Sequence, residues 1–217
     1  MRTRVIPGNQ RLGNRLCQVA KVTLDMELCR ADAPLAPRSY VLLISGTMNP
    51  PHKGHVHIGL SAARALRARK HIVTAICYVP VHDNYLHNKV TLSTASRPAG
   101  VPASQDTLCF SNASRCAMMR ELIAAEAPEE AGICHVLDYE STYGSELLAD
   151  SPHYWAPKLP GGYLRTVPTT ELIAHFASHS PLLSSSPGSR LAVVFGIDTL
   201  SGMGSWNGPE RLLEQVR

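Results

Sequence analysis

The sequence lacks long apolar segments and has little charge. Its longest apolar runs, Tyr40–Ile44 and Ile72–Val79, have the length of strands, whereas a membrane-spanning helix needs about 18 to 20 apolar residues. Charged residues make up 18% of the chain and the formal net charge is +4, with no block of lysine or arginine. We therefore expect neither a membrane nor a nucleic acid as a partner.

The sequence also lacks paired cysteines and a secretory signal. None of its six cysteines belongs to a Cys-x-x-Cys pair, which is typical of free thiols in an intracellular protein, cytoplasmic or nuclear. Several basic residues precede the first acid, Asp25, without the compact apolar core of a signal peptide. We expect residues 1–39 to be a poorly ordered extension, with a mitochondrial leader as the alternative.

The rest of the chain, residues 40–217, alternates strand and helix patterns. Continuous apolar runs predict strands, and apolar residues at helical spacing predict helices between them. In chain order the predicted elements are a strand at Tyr40–Ser45, a helix at 55–69, a strand at Ile72–Val79, a helix capped by Ser111 or Asn112, a strand at Ile133–Leu137, a helix at 169–178, a strand at Leu191–Phe195 and a helix from Glu210. This order predicts one α/β domain, a Rossmann-like, doubly wound parallel sheet.

Two stretches interrupt this pattern. The stretch from Pro80 to Ser111, above all residues 90–111, and residues 141–165 are rich in Pro, Ser, Thr and Gly and show no periodicity. We expect two long surface loops there.

The most informative segment follows the first strand. Residues 46–55 read Gly-Thr-Met-Asn-Pro-Pro-His-Lys-Gly-His, which places His-x-Gly-His at the start of a helix. Free N–H groups and the helix dipole favour anions at such a position, and Gly54 allows close approach of a ligand. The segment therefore predicts a phosphate site, although a histidine pair at a helix start is more often plain surface. Zinc binding is disfavoured, because His57 points elsewhere and no further ligand is suitably spaced.

The segment resembles the first signature of the nucleotidyltransferase superfamily with the His-x-Gly-His motif. Within it, Gly46-x-Met48-Asn49-Pro50 resembles nicotinamide/nicotinic-acid mononucleotide adenylyltransferases most closely. Four later segments resemble the same family in order and spacing: Pro80–Tyr85 followed by Lys89, Ser114–Met118, Leu137–Glu140, and Phe195–Leu200 with Trp206 beyond it.

The resemblance implies an enzyme that transfers the adenylyl group of ATP to the mononucleotide, giving NAD or its deamido form and pyrophosphate. It implies that His52 and His55 are catalytic and hold the ATP phosphates, with Mg²⁺ entering as the ATP complex. The implied ATP-binding residues also include Gly46, Thr47, Met48, Gly196 and Asp198. The implied mononucleotide-binding residues are Asn49, Lys89, Tyr139, Glu140 and Trp206. A homo-oligomer is a further implication.

The sequence departs from the family at one point. The family's late Ser-x-Thr-x-x-Arg signature has no match before Arg217, which leads us to expect either a piece of a longer product or a degenerate relative. Two alternatives therefore stay open: transfer to another phosphorylated acceptor such as phosphopantetheine, and a nucleotide-binding protein without catalysis.

Overall fold

Two apolar runs form the centre of a parallel sheet. Strand β1 (Ser39–Gly46) pairs in parallel with strand β2 (Ile72–Pro80), from Ser39 opposite Ile72 to Gly46 opposite Pro80. Consecutive residues of β1 from Val41 to Leu43 are fully buried. Because successive side chains of a strand point to opposite faces, β1 is covered on both sides, as its unbroken apolar run predicts.

Two shorter strands complete the described sheet. Strand β3 (Cys134–Val136) pairs in parallel with β2, and strand β4 (Arg190–Val193) pairs in parallel with β1. The strand order among the described residues is β3-β2-β1-β4. The prediction of an α/β fold with a parallel sheet is confirmed.

Helices α1 (Lys53–Ala68) and α3 (Asn112–Glu126) pack against one face of this sheet. Their buried side chains form one apolar core with those of the two central strands: Val56, Ala63, Met119 and Ile123 from the helices and Leu42, Ile44, Ile76 and Tyr78 from the strands. At Gly59 helix α1 lies so near the sheet that a Cβ would be 2.5 Å from the Tyr78 hydroxyl. That hydroxyl donates a hydrogen bond of 3.0 Å to the Val56 carbonyl, which ties the helix to the strand.

Two helices occupy stretches where the sequence predicts loops. Helix α2 spans Asp83–Ala95 and helix α4 spans Tyr139–Ala149, so the prediction of loops throughout 80–111 and 141–165 is wrong. Neither helix has a clear apolar stripe, and tertiary contacts stabilise them instead. The His82 Nδ1 accepts the Asn84 N–H at 3.1 Å at the start of α2, and Leu86 is buried.

The remaining elements lie close to their predicted positions. The Ser111 side chain accepts the Ser114 N–H at the start of α3, which confirms the predicted cap. A 3-10 helix (Pro128–Ile133) leads into β3. Helix α5 (Thr169–His179) matches its prediction to one residue, and a short helix α6 (Pro181–Ser184) precedes β4.

The computed structural model describes residues 36–95, 108–149, 166–186, 188–196 and 199. The chain divides into one unit, Arg38–Val194, that contains the sheet, and a second unit that combines Met1–Pro37 with Phe195–Arg217. Nearly all of the predicted extension 1–39 and the helix expected from Glu210 lie outside the described residues. Within the described ranges no helix is long and apolar enough to cross a membrane.

Candidate active site

The candidate site begins where the two central strands end. Gly46 and Pro80 are paired at the carboxyl edge of the sheet, and the Val81 N–H donates to the Gly46 carbonyl at 3.0 Å. The segments after β1 and β2 therefore leave the sheet side by side. This edge is where ligands bind in open parallel sheets.

The turn after β1 has an unusual backbone conformation at Met48. Its φ is +46°, in the left-handed region that residues other than glycine rarely adopt. The Met48 side chain is fully buried, and we attribute the conformation to this burial and to the bonds that hold the neighbouring peptides. The turn then reaches His52, the residue directly before α1.

His52 and His55 lie against each other at the N-terminus of α1. Their ring centroids are 3.8 Å apart, and the His52 backbone N–H donates to the His55 Nδ1 at 3.1 Å. Gly54 makes room for the His52 ring, because a Cβ at this position would lie 3.0 Å from His52 Cε1 and Nδ1. The histidines and the intervening glycine thus form one packed unit.

The hydrogen bond to Nδ1 determines what His55 can do. An imidazole that accepts at Nδ1 carries its proton on Nε2 when neutral. Burial, together with the nearby His52, lowers the pKa of His55 from 6.5 to about 4. At neutral pH His55 is therefore an uncharged donor that offers Nε2–H to a ligand, which suits a phosphate oxygen.

Asn49 contacts the protein backbone with both ends of its amide. Its Nδ2 donates to the Leu108 carbonyl at 2.6 Å, and its Oδ1 accepts the Phe110 N–H at 2.9 Å. The residue expected to bind the mononucleotide thus fixes residues 108–110 beside the turn.

The carboxylate of Glu140 is buried at the start of α4 and joins this helix to the segment after β2. Its Oε1 accepts the His82 N–H at 2.9 Å, and the side chain is almost inaccessible to solvent. Burial raises the pKa of Glu140 from 4.5 to about 7. Its role in holding His82 is a finding that the sequence did not predict.

Tyr139 is enclosed by other side chains. Only 7% of the residue is exposed, its hydroxyl lies 2.8 Å from His175 Nδ1, and its ring contacts those of Tyr143 and Phe176. Stacking on a ligand ring remains a prediction for Tyr139, and it would require these neighbours to move.

The other expected residues do not belong to the turn. Lys89 is exposed in the middle of α2. Gly196 belongs to the second unit of the chain, and Asp198 and Trp206 lie outside the described residues. One continuous turn brings together six of the expected residues: Gly46, Thr47, Met48, Asn49, His52 and His55.

No known family model matches this chain. The chain also has no significant match among curated proteins. Within the residues that the structure describes, no group of three or more His, Cys, Asp or Glu side chains is arranged to hold a metal ion.

One residue central to this site, Arg115, belongs to the Ser114–Met118 segment that resembles the family, but the sequence-based interpretation assigned it no role in the site. Arg115, in the first turn of α3, is fully buried and its guanidinium donates to the carbonyls of Thr47, Val81 and Phe110. The spacing of Arg115 along the helix could also have indicated that it is buried. It shares the buried side of α3 with four other residues at helical spacing: Asn112, Cys116, Met119 and Ile123. A charged residue at such a position needs partners inside the protein.

Proposed function

We propose that this protein transfers the adenylyl group of ATP to nicotinamide or nicotinic-acid mononucleotide, with release of pyrophosphate. The observation that carries the proposal is the His52 and His55 pair at the N-terminus of α1, directly after a central strand, with Nδ1 of His55 occupied. The family resemblance of residues 46–55 agrees with this geometry.

The reaction needs positioning and charge neutralisation more than an activated side chain. A phosphate oxygen of the mononucleotide, already ionised at pH 7, attacks the α-phosphorus of ATP. The bond between this phosphorus and the oxygen bridging to the β-phosphate breaks, and pyrophosphate leaves with the electron pair. Magnesium enters with ATP as part of the substrate.

The chain's own contribution is to stabilise the leaving pyrophosphate. The Nε2–H of His55 is a fixed donor because its Nδ1 is engaged, and the exposed His52 lies against it. The α1 dipole adds positive potential at the same place. Removing one donor of this kind lowers kcat by about 10²-fold.

The remaining assignments follow from the resemblance. We propose that Lys89 contacts the mononucleotide phosphate, that Tyr139, Glu140 and Trp206 lie near the pyridine ring, and that Gly196 and Asp198 contribute to the ATP site. The exposure of Lys89 is compatible with its role.

The contacts of Tyr139 and Glu140 keep a second acceptor class as a candidate. Because Tyr139 is enclosed and Glu140 already bonds His82, the pyridine side of the site is less well supported than the phosphate side. A different phosphorylated acceptor, such as phosphopantetheine, would use the same histidines and leave Tyr139 in place.

A panel of acceptors tests the proposal. The full chain is incubated with MgATP and, separately, nicotinamide mononucleotide, nicotinic-acid mononucleotide and phosphopantetheine, and pyrophosphate is measured with the adenylylated product. We expect product with a pyridine mononucleotide. Product with phosphopantetheine alone would favour the alternative, and saturable ATP binding without product from any acceptor would indicate a binding protein.

A further inference from the structure

Arg115 is a buried cation beside the candidate phosphate turn. The residue has no exposed surface, and an arginine side chain stays protonated in proteins. Burying such a charge is costly unless hydrogen bonds and an opposite charge compensate for it. Its ion-pair partner is Asp83, whose Oδ1 lies 2.7 Å from Nη2 and whose side chain is half exposed.

The hydrogen bonds of Arg115 connect three separate segments. Nη1 donates to the Thr47 carbonyl at 2.7 Å, Nη2 to the Val81 carbonyl at 2.7 Å, and Nε to the Phe110 carbonyl at 3.0 Å. These carbonyls belong to the turn after β1, the segment after β2 and the residues before α3. One guanidinium thus joins the parts of the chain that surround the site.

The bond to Thr47 acts on the most unusual part of the turn. The Thr47 carbonyl belongs to the peptide that enters Met48, where φ is +46°. Fixing this peptide sets the direction in which the chain continues to His52 and His55. A shift here would move the histidines without altering either of them.

We propose that Arg115 is the positioning residue of this site, which holds the turn from Gly46 to His55 in its anion-binding conformation. This inference rests on the proposed function for its kinetic consequence. Arg115 acts through backbone carbonyls, and lysine cannot replace it because a single ammonium group lacks the planar fork that spans three carbonyls.

The first test needs no enzymatic activity. Amide hydrogen exchange is measured by NMR in the full chain with Arg115→Lys and with Arg120→Lys as the matched control. Arg120 lies on the same helix, and its guanidinium also donates to a backbone carbonyl, that of Val136 at 3.1 Å, but on β3 rather than at the turn.

We expect Arg115→Lys to speed exchange of the His52 amide, which is bonded to His55 Nδ1, at least about tenfold, with Ile76 and Tyr78 in β2 unchanged. Arg120→Lys should leave the His52 amide as in the wild type. Equal His52 exchange in both variants, or faster exchange throughout the sheet in Arg115→Lys, would overturn the inference.

Kinetics supply the second test. A misplacement of about 1 Å costs on the order of 10²-fold in rate, so kcat for dinucleotide formation should fall about 10²-fold in Arg115→Lys and less than twofold in Arg120→Lys. Millimolar guanidinium should restore part of kcat to Arg115→Ala. If Arg115→Lys does not fold, Asp83→Ala removes one contact of the guanidinium, and its His52 amide should exchange faster while β2 stays protected; an unchanged His52 amide would refute the inference.

The two tests separate the inference from the proposed function. If the wild type forms no dinucleotide, the proposed function fails, while exchange at His52 still decides whether Arg115 holds the turn. If the wild type is active and Arg115→Lys keeps its full kcat, the positioning role is refuted and the proposed function stands.

Discussion

Replacing Gly54 by alanine should stabilise the protein and weaken anion binding at once. Gly54 is exposed in the first turn of α1 and does not have the left-handed φ that favours glycine. Alanine has the higher helix propensity, so we expect the free energy of unfolding to rise by about 0.5 kcal/mol. The new Cβ, however, would lie 3.0 Å from two atoms of the His52 ring.

The ring must therefore give way by a few tenths of an ångström or swing toward solvent. A displaced His52 no longer lies against His55. Because the shift is smaller than the misplacement of about 1 Å that costs about 10²-fold in rate, we expect the Kd for MgATP to rise by only about tenfold. Isothermal titration calorimetry measures the Kd, and urea denaturation measures the free energy of unfolding.

Ser61→Ala is the matched control. Ser61 is exposed on the same helix, and its hydroxyl takes part only in a long contact, 3.4 Å, with Arg64 among the contacts described. This variant should gain helix propensity without any change in Kd. If Gly54→Ala binds MgATP as tightly as the wild type does, the account of the packed histidine unit is refuted.

Three further predictions concern packing and pH. Gly59→Ala should lower the free energy of unfolding by about 1 to 3 kcal/mol in urea denaturation, because its Cβ would meet the Tyr78 hydroxyl at 2.5 Å; an unchanged value would show that α1 can move away. The His55 ¹³C resonances should titrate near pH 4, so the contribution of His55 to stability increases with pH from about 4 to 6.5, and a midpoint near 6.5 would contradict its burial. Glu140→Gln should gain stability relative to the wild type as the pH rises from 4.5 to 7, by at most about 3 kcal/mol, because over this range the buried wild-type carboxyl keeps a proton that the unfolded chain has lost; a difference in urea midpoint between variant and wild type that is the same at pH 5 and pH 8 would argue against its raised pKa.

The central strands and the position of the turn between Gly46 and His55 could be predicted from sequence because their signals are local. An unbroken apolar run such as Val41–Ile44 must be buried on both faces, and buried parallel strands place the following turn at the carboxyl edge. The capping serine at 111 is equally local, since its side chain bonds an N–H three residues away.

The parts that sequence reasoning missed depend on contacts between distant segments. Helices α2 and α4 lack an apolar stripe, and their ends are held by His82 and Glu140, which lie 58 positions apart. The contact between Arg115 and Thr47 spans 68 positions. The family resemblance at Asn49 and Tyr139 was visible in the sequence, whereas their contacts with Phe110 and His175 required the fold.

The most direct test of the central claim is the formation of dinucleotide and pyrophosphate from MgATP and nicotinamide or nicotinic-acid mononucleotide. The wild type is compared with His52→Ala/His55→Ala and with His57→Ala, whose ring lies on the same helix and contacts Glu126 at 3.6 Å instead. We predict that the wild type and His57→Ala form dinucleotide at the same rate, each with one pyrophosphate per dinucleotide. In the double variant this rate should fall by at least about 10²-fold. No product from the folded wild type, or equal rates in all three proteins, would contradict the assignment of His52 and His55 to adenylyl transfer.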